Sequence, residues 1–293
     1  MTGTIVVTGA NGYIGKKLVA SLEKEDLKVV KINRIKSQDS NEEYSFKELI
    51  NGLIPFENYK IEFAINLGII YERNYLQTNL NNVIDANIKL PLFLLNYAIK
   101  NKFPVILPGS HIQERKSTSQ NPLNEYTAMK NFVENYSKYL KIKNNLGVIF
   151  TRQQEIYGLS DTRNKLIYRL IDGFLKNETI EAPKEDFEIN FLHVDDLILA
   201  YLEIFKNSKN IQKFGIDPLN IQGPDTLSYY SLIKLIKEKI KKTNSKIEYV
   251  EFEYKAIQEN LLRDTQVLSG WMPTLKLNDF IDYIIDERKC MVR

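Results

Sequence analysis

The sequence contains very little cysteine and histidine. Cys290 is the single cysteine, which excludes an internal disulfide and is typical of a reducing compartment. Together with Cys290, His111 and His193 are too few to form a structural zinc site, so we expect no metal. No apolar run approaches the roughly 20 residues of a membrane span, and "MTGTIVV" enters a strand pattern without a charged, then apolar, leader. We therefore expect a cytoplasmic protein with no membrane partner.

The charged residues show no marked excess of either sign. The chain has 40 Lys and Arg residues against 37 Asp and Glu residues, and the basic ones are scattered. Since nucleic-acid-binding proteins concentrate basic residues on one face, we do not expect a nucleic-acid partner. A length of 293 residues with 43% hydrophobic residues is sufficient for one large α/β unit or two closely associated lobes.

Apolar runs alternate with helical patterns along the first half of the chain. The runs typical of buried strands are 4–7, 27–32, 61–67, 103–107 and 146–150, and the helical patterns are 13–24, 79–101 and 125–143. Alternation of this kind predicts a doubly wound parallel sheet, Rossmann-like, with helices on both faces. Residues 33–60 are polar and offer only a poor third strand near "EEYSF".

The pattern changes after about residue 157, where longer helices follow one another. They are predicted at 165–176, 195–207, 231–242 and 277–289. We therefore predict a first domain over 1–157 and a smaller, mostly helical substrate lobe over 158–293, with 190–207 returning to the first domain.

Three glycines spaced three apart follow the first predicted strand. In "VVTGANGYIG", Gly9 and Gly12 lie between that strand and the predicted helix at 13–24, and Gly15 lies in its first turn. Such a turn lets an anion approach the backbone and the positive end of the helix. The spacing differs from the common Gly-x-Gly-x-x-Gly fingerprint, so a plain connector is the alternative. We favour a dinucleotide site formed by Gly9, Asn11, Gly12, Tyr13, Ile14 and Gly15.

The type of cofactor is predicted from the end of the second strand. An acidic residue there typically binds the adenosine ribose of NAD. Asn33 occupies that position, and Arg34 follows it as a suitable partner for a 2′-phosphate. The pattern favours NADP(H) over NAD(H), although a chain rich in Lys and Arg places a basic residue in such a window by chance as well.

A second group of residues is suited to proton transfer. "EYTAMK" puts Tyr126 and Lys130 one helical turn apart on one face. An ammonium beside a phenol favours the phenolate and so lowers a pKa that is ordinarily about 10. Ser110 directly follows the fourth predicted parallel strand, at the edge of the sheet that also carries the glycine turn. Taken alone, a Tyr-x-x-x-Lys pair is more often a surface pair, and a serine after a strand is an ordinary loop residue or helix cap.

Taken together, the motifs resemble the extended short-chain dehydrogenase/reductase family of NAD(P)-dependent sugar-nucleotide epimerases, dehydratases and reductases. The segments that carry the resemblance occur in the family's order over essentially the whole chain. They are "TGANGYIG", "INLG" (65–68), Asn87 in "DANIKLPLFLL", the serine of "PGSH", "YTAMK", "TRQQEIYG" (151–158), "NFLHVDDLILAY" (190–201) and "LSGWMP" (268–273).

The resemblance implies a role for each matching residue. Tyr126 is the expected acid/base, Lys130 is expected to hold the nicotinamide ribose and tune Tyr126, and Ser110 is expected to hydrogen-bond the reacting oxygen. The further residues assigned to the cofactor are Leu67, Gly68 and Asn87. The residues assigned to a nucleotide-sugar substrate are His111, Ile112 and Arg163.

The family divides by reaction, and residues around Ser110 favour one branch. Dehydratases carry Asp-Glu directly after the catalytic Ser or Thr, whereas His111 and Ile112 follow Ser110. Enzymes like GDP-fucose synthase use an additional cysteine and histidine as proton shuttles for epimerisation. This chain has Ile112 and Ser160 at the nearest positions, so that epimerisation is not expected unless His111 replaces one of the shuttles. "GSHIQE" with "NPLNEYTAMK" is similar to the reductases that make CDP-linked dideoxy sugars. We therefore expect an NADPH-dependent reductase of the 4-keto group of a nucleotide-linked deoxy sugar.

Two other functions stay open, and an oligomeric state is implied. The same residues permit an NAD-dependent nucleotide-sugar 4-epimerase. Departures at Gln153 and Glu155 also leave room for a non-catalytic nucleotide-binding protein of this fold. The resemblance implies that the helices at 79–101 and 125–143 pair with a second subunit in a homodimer, although both could simply be core.

Overall fold

A computed structural model describes residues 3–36, 42–71, 79–113, 122, 124–207, 214–251 and 266–292. The chain divides into two compact units. Unit 1 comprises 1–152, 198–220 and 264–271, and unit 2, the smaller one, comprises 153–197, 221–263 and 272–293.

The secondary structure alternates between strands and helices through most of the described chain. The strands are β1 (Thr4–Thr8), β2 (Lys28–Asn33), β3 (Glu43–Ser45), β4 (Ile61–Asn66), β5 (Val105–Ser110), β6 (Val148–Gln153), β7 (Glu155–Tyr157), β8 (Ile180–Pro183), β9 (Glu188–His193), β10 (Leu219–Ile221), β11 (Asp225–Ser228), β12 (Ile247–Val250) and β13 (Gln266–Val267). The helices are α1 (Tyr13–Lys24), α2 (Phe46–Ile50), α3 (Leu80–Ile84), α4 (Leu90–Asn101), α5 (Glu125–Asn144), α6 (Leu166–Leu175), α7 (Val194–Lys206), α8 (Tyr229–Ile240) and α9 (Leu277–Val292).

One eight-stranded sheet forms the middle of unit 1, in the order β13-β10-β6-β5-β4-β1-β2-β3. β1 pairs in parallel with both β2 and β4, and β4 pairs in parallel with β5. The predicted Rossmann-like parallel sheet is therefore confirmed. The poor strand near "EEYSF" exists as β3, parallel to β2.

Continuous apolar runs explain the central strands of this sheet. All five residues of β1 are buried, as parallel strands covered on both faces require. One cluster of buried side chains packs the strands against α4. It includes Val6, Val30, Ala64, Val105 and Val148 from the strands and Leu90, Leu94, Leu95 and Ala98 from the helix.

The helical segment predicted at 79–101 changes type in its middle. α3 and α4 are joined by a π-helical turn at Asp85–Lys89. Pro91 lacks the N–H that a regular α-helix would donate to the carbonyl of residue 87, which favours a wider turn here. The helical pattern predicted at 79–101 is therefore confirmed, with a π-helical turn at these five residues that the sequence analysis did not predict.

Unit 2 contains the helices α6, α8 and α9 with short strands between them. In one sheet β9 pairs antiparallel with β11 and parallel with β7, and in another β8 pairs in parallel with β12. Buried side chains of all three helices form its core, including Phe174, Leu232 and Ile281. The sequence analysis predicted the helices of this unit but none of these strands.

The described ranges contain neither a membrane-spanning helix nor a metal-binding cluster. No helix there is long and apolar enough to cross a bilayer. In the same ranges, no group of three or more His, Cys, Asp and Glu side chains is placed to hold a metal ion. Cys290 is exposed on α9.

Candidate active site

The glycine turn between β1 and α1 depends on missing side chains. Gly9 has a φ of +65°, in the left-handed region. A Cβ on Gly9 would lie 2.7 Å from the backbone nitrogen of Gly68, so the turn packs directly on the chain after β4. A Cβ on Gly15 would collide with the carbonyl oxygen of Gly9. Both positions therefore require glycine.

The turn presents the amino end of α1 without a negative charge. Gly12 is the N-cap residue and has no side-chain oxygen to offer, and the first turn of α1 contains no acidic residue. The helix dipole and the amide groups of such an end attract an anion. The close backbone approach at Gly9 and Gly15 and this uncharged cap fit the diphosphate of a dinucleotide cofactor.

Asn33, predicted as a cofactor ligand, braces the glycine turn. Its Oδ1 accepts a hydrogen bond from the backbone N–H of Asn11 at 2.8 Å. Its Nδ2 donates to Oε1 of Glu43 at 2.8 Å, and Nδ2 of Asn11 donates to the same oxygen at 3.2 Å. Asn33 and Glu43 are both buried. Glu43 therefore supplies a carboxylate at the end of β2, where the sequence analysis found no acid.

Glu43 reaches this position because β3 pairs with β2, which puts Glu43 opposite Lys31. That pairing is not visible in a polar segment read residue by residue. Arg34 follows β2 directly and is exposed, so its guanidinium is available to a phosphate. Lys36 lies 5.6 Å from the ring centroid of Tyr44.

Hydrogen bonds fix the chain after β4, where Leu67, Gly68 and Asn87 were predicted to line the cofactor site. The backbone N–H of Leu67 donates to the carbonyl of Thr8 at 3.2 Å. The hydroxyl of Thr8 accepts from the N–H of Gly68 at 3.0 Å and donates to Oδ1 of Asn66 at 2.8 Å. These bonds join the carboxyl ends of β1 and β4.

The Asn87 side chain lies in the π-helical turn and bonds the same loop. Its Oδ1 accepts from the N–H of Ile70 and its Nδ2 donates to the carbonyl of Ile70, both at 2.8 Å. Two reciprocal bonds hold the amide in one orientation. Asn87 therefore shapes the wall of the site by clamping the loop that carries Gly68.

Lys130 links the start of α5, which carries Tyr126, to the end of β5, which carries Ser110. Ser110 is the last residue of β5, and Asn124 starts α5 by accepting a hydrogen bond from the N–H of Thr127 at 3.0 Å. The ammonium of Lys130 donates to the carbonyl of Pro108, two residues before Ser110, at 2.6 Å. Its Nζ also lies 5.8 Å from the centroid of the Tyr126 ring.

Electrostatics around Lys130 are unusual for a lysine. Burial and, to a smaller extent, the positive charge of Arg152 lower the pKa of Lys130 to about 8, while the negative charge of Glu134 opposes the shift. The ring of Tyr126 packs edge-on against Tyr71, with centroids 5.1 Å apart. The ammonium is therefore held beside the phenol in surroundings that disfavour its charge.

One groove in unit 1 brings several predicted residues together. Among the residues that line it are Asn66, Gly68, Asn87, Gly109, Gln113 and Lys130. The groove therefore links the chain after β4 to the β5–α5 junction. Glu134, four residues after Lys130 on α5, also lines it.

Gln113 and Glu134 were not singled out as site residues. The sequence contained two signals for them: the glutamine of "GSHIQ" and the helical spacing of Lys130 and Glu134. Their hydrogen-bond partners, by contrast, were not visible in the sequence.

The three residues predicted to bind substrate lie in two places. His111 and Ile112 occupy a single 3₁₀ turn directly after Ser110 and are partly buried. Arg163 belongs to unit 2, where its Nε and Nη2 donate to the two carboxylate oxygens of Asp161 at 2.8 and 2.7 Å. Asp161 is buried, so this bidentate pair holds the guanidinium in one orientation.

Comparison with known proteins shows a match over most of the chain. The model of the NAD dependent epimerase/dehydratase family matches residues 5–221. The chain is 29% identical over 219 residues to the CDP-abequose synthase of Salmonella typhimurium, covering 72% of each protein. It is 28% identical over 247 residues to the CDP-abequose synthase of Yersinia pseudotuberculosis, covering 80% of this chain and 83% of that protein.

A solved structure shows the same fold. The UDP-glucuronic acid 4-epimerase of Bacillus cereus, crystallised with UDP-glucuronic acid and NAD, superposes with a TM-score of 0.79. The match covers 98% of this chain and 99% of that one, at 19% sequence identity.

We expect Lys130→Met to change how stability depends on pH. The folded-state pKa of Lys130 is about 8, below the roughly 10.4 of a lysine in an unfolded chain. Between these values the unfolded chain binds more protons, so this lysine makes the free energy of unfolding rise with pH. Between about pH 7.5 and 10.5 the wild type should gain on the order of 1–3 kcal/mol relative to the variant.

Urea unfolding followed by circular dichroism at several pH values measures this difference. Lys100→Met, which removes an exposed lysine of α4, is the matched control and should follow the wild-type curve. Parallel pH curves for the wild type and Lys130→Met would contradict the prediction.

Proposed function

Because the chain belongs to the NAD dependent epimerase/dehydratase family, we propose that it is a cytoplasmic, NADPH-dependent reductase of the 4-keto group of a nucleotide-linked deoxy sugar. Members of this family are NAD(P)-dependent enzymes that modify sugar nucleotides. One observation supports the proposal: the hydrogen bond from Lys130 to the carbonyl of Pro108, which joins the helix that carries Tyr126 to the strand that ends at Ser110.

The proposed reaction needs one hydride and one proton. NADPH, when bound, supplies the hydride to the carbonyl carbon. Tyr126 donates a proton to the carbonyl oxygen, and the hydroxyl of Ser110 hydrogen-bonds the same oxygen as negative charge develops on it. The ammonium of Lys130 stabilises the phenolate that remains and holds the nicotinamide ribose.

The surroundings of Ser110 support reduction over dehydration. Elimination of water needs an additional acid and base, and the two residues after Ser110 are His111 and Ile112 rather than two carboxylic acids. The 3₁₀ turn places both beside the end of β5, where we assign them to the sugar. We assign Arg163, held by Asp161, to the diphosphate of the substrate.

The relatives favour a particular nucleotide. Two proteins named CDP-abequose synthase match 72% and 80% of the chain. We therefore propose a CDP-linked sugar as the first substrate to test, with the sugar itself left to the assay.

The main experiment incubates the purified protein with NADPH and CDP-, dTDP-, UDP- and GDP-linked 4-keto sugars. We expect NADPH consumption and a 4-hydroxy product, and a roughly 10²–10⁴-fold lower kcat for Tyr126→Phe. Tyr283→Phe, an exposed tyrosine of α9, is the matched control and should keep full activity.

Absence of turnover with every sugar would contradict the proposed function. NAD retained through purification, with interconversion of 4-epimers and no NADPH consumption, would identify a 4-epimerase instead. An unchanged rate in Tyr126→Phe would remove the proposed role of the phenol.

The cofactor preference depends on Arg34. We propose that its exposed guanidinium pairs with the 2′-phosphate of NADPH. Arg34→Ala should lower kcat/KM for NADPH by about tenfold, which corresponds to about 1.4 kcal/mol. The same variant assayed with NADH is the control, because NADH lacks the 2′-phosphate. Equal losses with both cofactors, or a wild type that prefers NADH, would contradict this assignment.

We also propose a homodimer that pairs through α5. Phe132, Tyr136, Tyr139 and Ile142 lie along one side of this helix and are 50%, 38%, 51% and 72% exposed. Their spacing of four, three and three residues makes a continuous apolar stripe, which a monomer seldom leaves in water. Together with α4, the stripe is suited to a second copy of this chain.

Sedimentation velocity tests the homodimer. The wild type should sediment as a dimer, and Ile142→Lys should dissociate it by placing a charge in the stripe. Leu199→Lys, at an exposed apolar position of α7, is the control and should stay dimeric. A monomeric wild type would exclude the proposal.

A further inference from the structure

A buried polar network is hydrogen-bonded to the backbone of Ser110. Its three main members come from different elements: Gln113 from the 3₁₀ turn after β5, Glu134 from α5 and Arg152 from β6. All three are at least nine-tenths buried. Buried polar groups are costly unless they are hydrogen-bonded, so such a network calls for a structural or functional reason.

Gln113 connects this network to the backbone of Ser110. Its Oε1 accepts a hydrogen bond from the N–H of Ser110 at 2.8 Å. Its Nε2 donates to Oδ1 of Asn131 at 3.1 Å and to Oε2 of Glu134 at 3.3 Å. Since both ends of the amide are bonded, its orientation is fixed, and so is the peptide group of Ser110.

A buried ion pair anchors Gln113 in turn. Nη2 of Arg152 lies 2.7 Å from Oε2 of Glu134, and Lys138 lies 2.8 Å from the other carboxylate oxygen. Burial alone would raise the pKa of Glu134, but Arg152 and Lys138 together lower it below its ordinary value. Glu134 is therefore held as a carboxylate that accepts from Gln113.

The network also fits tightly against the backbone of β5. A Cβ on Gly109 would lie 2.5 Å from Nη1 of Arg152 and 2.6 Å from Oε1 of Gln113. The chain before Ser110 is thus packed on the same two side chains that fix the serine. The network therefore contacts both Gly109 and the backbone N–H of Ser110.

We propose that Gln113, anchored by Glu134 and Arg152, is the positioning residue for Ser110 in the reductase. This inference rests on the proposed function, in which the hydroxyl of Ser110 hydrogen-bonds the reacting carbonyl oxygen of the substrate. Gln113 acts through the serine, because its hydrogen bond to the N–H of Ser110 sets where the hydroxyl meets that oxygen. Loss of Gln113 should therefore affect the chemical step and leave cofactor affinity unchanged.

A double-mutant cycle tests this relation. Gln113→Met keeps the length of the side chain but removes both hydrogen-bonding ends, and we expect kcat to fall about 10–100-fold with an unchanged Kd for NADPH. On the Ser110→Ala background the same change should lower kcat less than about twofold, because the serine hydroxyl is already absent. Multiplicative losses would indicate a merely structural role and overturn the proposal.

Two further variants guard against a general loss of folding. Gln113→Asn keeps an amide that is too short to reach the N–H of Ser110, and it should show the same dependence on the serine. Ser137→Ala removes another buried polar group of α5, which donates to the carbonyl of Val133, and it should keep kcat within about twofold. An equal kcat loss in Ser137→Ala would overturn the assignment.

Amide hydrogen exchange at Ser110 separates this proposal from the proposed function. In Gln113→Met the amide of Ser110 should exchange at least tenfold faster, while that of Val6 in β1 should be unchanged. A wild type without turnover would overturn the reductase proposal. Amide exchange at Ser110 would still show whether Gln113 holds the peptide group of the serine. Unchanged exchange at Ser110 would overturn the positioning role.

Discussion

The hydrogen bond from the ammonium of Lys130 to the carbonyl of Pro108 docks the start of α5 on the end of β5. Through this bond, the first turns of α5, which carry Tyr126, are joined to the strand that ends at Ser110. The bond places a charged group in surroundings that lower its pKa to about 8, so the site is assembled at a cost in stability. Dense packing elsewhere in unit 1, where β1 is entirely buried, offsets that cost.

Much of the sheet in unit 1 was predictable because buried parallel strands are continuous apolar runs. "TIVV" and "IEFAINL" became β1 and β4 nearly as expected. The strands of unit 2 carry no such signal. β11, "DTLS", is mostly polar and is defined by its antiparallel pairing with β9, a contact between distant parts of the chain. Periodicity within a short window does not contain that information.

The candidate site divides in the same way. Ser110 after a strand and Tyr126 four residues before Lys130 are local patterns, and the structure does bring their elements together. Glu43 and Gln113 act through partners that lie 10 to 32 residues away for Glu43 and up to 21 for Gln113. Their importance follows from strand register and helix packing, so no local pattern revealed it. Asn33 is an example: the sequence showed that it ends β2, but it did not show that the carboxylate of Glu43 lies beside it.

The π-helical turn at Asp85–Lys89 has a consequence for how this segment tolerates change. A π turn holds one residue more than the regular turn it replaces, so α3 and α4 are out of phase by about 100°. Deleting one residue here would restore an unbroken α-helix, but it would swing either the Asn87 clamp or the Leu90 and Leu94 face out of alignment. No regular α-helix through this segment can therefore keep both the Asn87 contacts and the buried face of α4. We expect insertions or deletions here to destabilise the protein far more than those in a surface loop.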